Sequence, residues 1–308
     1  MINKYLRDYG WFDIIVISIS IILLCMLIYS ILKPFYMKVI KKNTNASGKT
    51  SRPNIVVVFD LDETLGSFAQ LAVLQETIEH YENRKMNECE FNALIDQNSE
   101  FLRPGIIDIL EYVVKQRETG RCDRIMLYTN NQGPQEWAKA ICNYFSTKIG
   151  TNVFDQIIAA YKVNGRQVEP NRTSHDKSYA DFIRCTGLPE DTQVCFLDDV
   201  DHPHMHHANV YYINLKPYSN EIPVRVSLDR YYQNYPNHQM ECIMKAREIY
   251  RQTTLNGKNK SSAEQAVDRV IGKYTLQQIY DFFDMQHKFM NRKRQRGGGG
   301  SGSGDCIV

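Results

Sequence analysis

A doubly wound, Rossmann-like parallel α/β sheet is the fold this sequence predicts, and two observations carry that prediction. The first is a series of short apolar runs rich in β-branched and aromatic residues: Ile55–Phe59 (IVVVF), 125–128 (IMLY), 156–160, 194–197 (VCFL) and 210–215. Runs apolar on both faces suit strands covered on both sides, where parallel strands lie. The second is that helical periods separate the runs. Strands alternating with helices pair in parallel through right-handed crossovers.

The helices can be read one at a time. Ile106, Ile109, Leu110 and Val113 mark one; Trp137, Ile141 and Tyr144 mark another, with Pro134 in its first turn. Tyr179, Phe182 and Ile183 mark a third that stops at Gly187 and Pro189. Leu71, Leu74, Ile78 and Tyr81 give residues 68–95 a helical period, so 66–100 is expected to form a small helical insert in a core spanning 55–217. Ser261 and Glu264 read as a capping box ahead of Val267, Val270, Ile271, Tyr274, Ile279 and Phe283, which predicts packing helices across 218–290. Residues 291–308 read as a flexible tail, basic at first (KFMNRKRQR over 288–296) and then rich in Gly and Ser.

Ahead of the core, residues 1–13 form a short flank, and 14–32 (IIVISISIILLCMLIYSIL) form a chargeless run of about 19 residues. At about 1.5 Å per residue such a helix spans most of a bilayer's hydrocarbon core. A single transmembrane anchor is expected there, followed by a basic and polar linker over 33–54. Lys33, Lys38, Lys41 and Lys42 follow the run without an acid, whereas Lys4 and Arg7 are offset by Asp8 and Asp13. The positive-inside bias predicts a single-pass membrane protein with its large C-terminal part in the cytosol. A viral membrane is the other setting kept open.

Composition sets further bounds. Hydrophobic residues make up 43% and charged ones 23%, the balance of a folded chain rather than a self-repelling one. A net charge of +2 argues against a nucleic-acid partner. Eight scattered cysteines without a C-x-x-C pair read as reduced thiols rather than a zinc framework.

The chemistry is concentrated where strands end. IVVVFDLDETL runs an apolar strand into Asp60 and Asp62, two acids that alternation directs the same way. Like charges this close need a cation or a shared proton, so a metal site or a perturbed acid is expected. Thr129 follows another strand, offering a hydroxyl and neighbouring backbone N–H groups to an anion. Asp198 and Asp199 follow a third, and Lys177 lies between them and Thr129, at a predicted helix start. Each has a plain alternative as a turn former, strand end or surface lysine. Their joint occurrence directly behind apolar strands is what carries weight.

DLDETL, then TN, then a lysine, then LDD resembles the haloacid dehalogenase-like superfamily, and within it the FCP/SCP group of phosphatases, from about residue 54 to 217. FLRPG over 101–105 is similar to that group as well. The resemblance implies that Asp60 is the nucleophile and Asp62 the general acid and base. It implies Mg²⁺ bound by the Asp60 carboxylate, the Asp62 backbone carbonyl and an acid of the Asp198, Asp199 pair, with Asp199 preferred. Thr129, Asn130 and Lys177 would then bind phosphate oxygens, with Thr64 a further candidate beside the metal. The implied substrate is a protein phosphorylated on serine or threonine.

Three departures from the family pattern stand out. Lys177 lies far from Asp198 in sequence, which leaves Arg172 and Lys162 as alternative phosphate ligands. The insert has a helical period where relatives carry a shorter strand-like one, and HPHMHH over 202–207 reads as a polar loop or a zinc site. Two rivals from other classes remain: a non-catalytic membrane-bound peptide receptor of the same fold, and a nucleic-acid end phosphatase.

Overall fold

The computed structural model describes residues 52–233, 241–242 and 260–297. The flank, the expected anchor at 14–32 and most of the linker lie outside these residues, as does the Gly/Ser end of the tail. Among the described residues no helix is long and apolar enough to cross a membrane.

In chain order the strands are β1 (Ile55–Phe59), β2 (Arg124–Tyr128), β3 (Gln156–Ile158), β4 (Lys162–Val163), β5 (Arg166–Gln167), β6 (Gln193–Asp198) and β7 (Val210–Asn214). All five expected runs become strands of one sheet, ordered β3-β2-β1-β6-β7, with every pairing parallel. The fold is therefore α/β and consistent with a Rossmann-like architecture. The chain steps outward from β1 to β3 and then returns to β6 on the other side of β1. Open α/β sheets bind ligands at such a reversal, beyond the carboxyl ends of the strands.

The helices are α1 (Phe68–Glu82), α2 (Glu88–Gln97), α3 (Ile106–Glu118), α4 (Gln135–Ile149), α5 (Tyr179–Thr186), α6 (Val224–Tyr231) and α7 (Ser262–Gly297). They lie on both faces of the sheet, as the pleat of β1 records. Ile55, Val57 and Phe59 pack into a core with residues of α1, α2, α3, α4, α6 and α7, while Val56 and Val58 face Tyr179 and Phe182 of α5. That two-sided burial explains why β1 is apolar without alternation.

Local signals set the boundaries. The Ser178 side chain caps α5 by accepting from Asp181 N, and Gly187 ends it in the left-handed region. Pro134 is the residue before α4 rather than part of its first turn. The insert is helical, as α1 and α2, and Asn87 with Glu90 forms a full capping box between them. The β4–β5 hairpin was not expected, although Asn164 and Gly165 both take positive φ as a tight two-residue turn requires.

The C-terminal region differs from expectation in two ways. Helix α7 continues to Gly297, so the basic stretch is helical up to there rather than a flexible tail; Lys, Arg, Gln and Met are good helix formers. Its buried stripe runs through Gly272, Thr275, Ile279, Phe282, Phe283 and Gln286, whereas Val267, Val270 and Tyr274 are 49%, 65% and 63% exposed. Helical spacing alone could not say which stripe turns inward. Close approach decides it, because a Cβ on Gly272 would stand 2.1 Å from the Pro104 carbonyl oxygen. We expect Gly272→Val to lower stability by about 1–3 kcal/mol through overpacking, measured by urea denaturation. An unchanged midpoint would mean that α7 does not rest on Pro104.

Candidate functional site

Parallel strands end on the same side, so β1, β2 and β6 deliver their last residues to one edge. Asp60 N donates to Leu197 O at 2.9 Å, carrying the β1–β6 pairing one residue past Phe59. This sets Asp60 beside Asp198. Carboxylate oxygens of Asp60, Asp198 and Asp199 all lie within 4.8 Å of one another, a group able to hold a metal ion. Asp60 and Asp198 are buried and Asp199 is partly so.

One cation is built into this cluster. Lys177 Nζ hydrogen-bonds to Oδ1 of Asp60 and donates to Oδ2 of Asp198 at 2.6 Å. Its position just before the α5 cap brings it over the sheet, and Nζ lies 5.7 and 5.9 Å from the ring centres of Tyr128 and Phe196. Little water reaches it, so the ion pairs act at low effective dielectric. The long sequence gap to Asp198 is spanned by α5 and the whole of β6, whose last residue is Asp198.

The charges are in tension. Burial pushes the Asp60 carboxyl up to about 7; Lys177 pulls it back, and the Asp198 and Asp62 charges push it up again. Burial likewise raises Asp199, with the Asp198 charge adding. Burial also opposes ionisation of Asp198, but His202 (Nε2 at 3.4 Å) and Lys177 outweigh it and hold that carboxyl below its usual value.

The Asp62 carboxylate is not part of the metal-capable group. Its Oδ2 accepts from Asn131 Nδ2 at 2.7 Å, and burial raises its pKa. Asn131 in turn donates from its backbone to Thr129 Oγ1 at 3.0 Å and accepts from Gly133 N. Thr129 is buried at the end of β2, yet its own N–H goes to Ile158 O. The backbone donors expected for an anion are thus partly consumed, and the hydroxyl remains the contribution of Thr129.

Neither alternative cation takes the place of Lys177. Arg172 is buried, but its guanidinium donates to the carbonyls of Thr129, Ala159 and His175 and to Asn130 Oδ1. It holds the Thr129–Asn130 turn from behind. Lys162 sits in the hairpin, with Nζ 4.8 Å from the Tyr161 ring centre. Thr64 braces an acid: its Oγ1 donates to Asp199 Oδ1 at 2.9 Å and accepts from Asp199 N. The histidine loop reaches the cluster through His202, which faces Asp198. His206 meets Asp201, His207 stacks on Tyr179, and no histidine belongs to a metal-capable group among the described residues.

Arg103 fixes the loop that carries both acids. It donates to the carbonyls of Thr64, Glu63 and Lys216 at 2.6, 2.5 and 2.9 Å, while Glu63 takes φ 58° within the tight turn closed by Gly66. A Cβ on Gly66 would come within 2.5 Å of Phe101 O, so only glycine fits. The sequence offered Arg103 only inside FLRPG and Asn131 only as the residue after TN. Neither position was assigned a role from sequence.

No protein-family model matches the chain, and no curated protein matches it. The chemistry of this site therefore has to come from its own geometry.

Two outcomes follow. Lys177→Met removes the one ammonium between buried carboxylates and should cost about 3–5 kcal/mol; a loss under about 1 kcal/mol in urea denaturation would mean that the cluster is compensated elsewhere. A carboxyl raised by folding holds its proton more tightly folded than unfolded. The stability contributed by Asp60 is then complete below about pH 4 and is lost as pH rises through about 7. In chelator, Asp60→Asn should flatten the fall in stability over that range, and an unchanged slope would count against the raised pKa.

Proposed function

We propose that this protein is a phosphatase of the haloacid dehalogenase-like superfamily, FCP/SCP group, that hydrolyses phosphomonoesters through an aspartyl-phosphate on Asp60. The observation that carries this reading is the convergence of Asp60, Asp198, Asp199 and Lys177 at one sheet edge, with Asp62 and Thr129 beside them. Three carboxylates facing one ammonium leave an excess of negative charge that a hard divalent cation would relieve. The donors are all oxygens, which fits Mg²⁺. Asp60, Asp198 or Asp199 and the Asp62 backbone carbonyl would hold it. When bound, the ion supplies charge neutralisation at the transferring phosphoryl group.

Lys177 engages Oδ1 of Asp60, so Oδ2 is the oxygen left to attack phosphorus. The bond to the ester oxygen breaks as Asp62 gives that oxygen its proton. The raised pKa of Asp62 favours the protonated form needed at this step, and Asn131 keeps the carboxyl in one orientation. Water then attacks phosphorus, Asp62 takes its proton, and the acyl-phosphate bond breaks to return Asp60. Thr129 and Lys177, with Asn130 at the same turn, would steady the non-bridging oxygens.

A phosphoserine or phosphothreonine protein is the proposed substrate class, since α1 and α2 form a small insert rather than a lid that seals the site. The apolar run 14–32 would tether the enzyme to a membrane, with its catalytic part in the cytosol.

The full-length chain, purified in detergent, is expected to hydrolyse an aryl phosphate with Mg²⁺ and to lose activity in chelator. Asp60→Asn should abolish turnover; undiminished activity in that variant would overturn the nucleophile assignment. Asp62→Asn should cost about 10²–10⁴-fold on an alkyl phosphate, and less on an aryl phosphate whose leaving group needs no proton. A folded wild-type chain with no turnover would instead favour the peptide-receptor reading.

A further inference from the structure

A groove of about 1050 Å³ opens beside Asp62 and runs between α1 and the segment leading into α4. It exceeds the upper end of ordinary small-molecule pockets, about 300–1,000 Å³. Its floor is apolar, built from Phe68, Ala72, Met86, Trp137 and Ala140, and Phe91 packs edge-on against Trp137 at 5.7 Å. Its rim is acidic. Glu63, Glu76, Glu79 and Glu136 line it, and among the described residues its one lining ammonium is Lys85, which is held by Glu79 at 2.6 Å.

A small phosphate ester needs only the Asp60 end of this surface. An apolar floor with a carboxylate rim instead suits an extended chain whose side chains combine hydrocarbon and positive charge, as those of Lys and Arg do. Polyanions are disfavoured by the same rim. We propose that the groove receives a polypeptide segment carrying Lys or Arg, so that the phosphoresidue presented to Asp60 comes from a basic stretch of a protein. That the bound residue is phosphorylated rests on the phosphatase reading above; the preference for a basic polypeptide does not.

The test separates the two. Fluorescence anisotropy with the full-length chain would compare two labelled peptides of equal length, one flanked by Lys and Arg and one with Glu at those positions, neither phosphorylated. The basic peptide should bind about tenfold more tightly at low salt, as two or more exposed charge pairs allow, and the preference should shrink at high salt. In the variant Glu136→Gln the ratio should fall to about threefold. Because the ratio is taken within one variant, a general loss of folded protein does not move it. Equal affinities in wild type, or a preference undiminished in the variant, would overturn the groove assignment. Peptide preference without aryl-phosphate turnover would keep the groove and remove the phosphatase; turnover without preference would do the reverse.

Discussion

Three carboxylates and one ammonium share the space where β1 and β6 end, and the rest of the site is organised around keeping them there. Asp60 and Asp198 are adjacent because their strands pair in register up to Phe59 and Leu197, and among the described residues Lys177 is the cation that bridges both. Isolated charges would not stay ionised in such surroundings; they would neutralise or draw in water. Thr64 braces Asp199, Asn131 holds Asp62, and Arg103 fixes the turn between them through three carbonyls. Each of these contacts restricts a group that electrostatic repulsion would otherwise displace.

The sheet order supplies the meeting place. With β1 central, its carboxyl end is flanked by those of β2 and β6, so Asp60, Thr129 and Asp198 converge though they lie far apart in sequence. The return from β3 to β6 passes through α5, and the residue before the α5 cap is Lys177. The cap therefore acts on two levels. It starts a helix whose Tyr179 and Phe182 cover the second face of the sheet, and it places the preceding side chain over the cluster.

What the sequence disclosed follows from which forces leave a trace in it. Five strands were legible because burial on both faces demands unbroken apolar runs, and the acids were legible because a carboxylate directly behind such a run needs a reason. Arg103 was not, and Arg172 was read as an alternative phosphate ligand rather than a brace, since their partners are mostly backbone carbonyls, which every residue possesses. The inward stripe of α7 was hidden for a related reason: a helix with apolar residues on two sides is rotated by its neighbour, here through contact of Gly272 with Pro104. The Asn164–Gly165 turn did leave a signal. It was overshadowed because strands of two residues carry almost no pattern of their own.

The different use of Arg103, Arg172 and Lys177, all buried, explains why lysine occupies the centre. A guanidinium offers five donors in a fixed fork, and in Arg103 and Arg172 these are spent largely on carbonyls around tight turns. That arrangement fixes backbone without neutralising the arginine charge, so a positive field remains behind the Thr129–Asn130 turn. A compact ammonium can sit between two carboxylates and turn its protons from one to the other as charge develops nearby. An arginine at position 177 would demand planar, two-oxygen contacts from acids that strand pairing has already fixed side by side. The rigid forks therefore belong behind the loops, and the single point charge belongs where bonds would be made and broken.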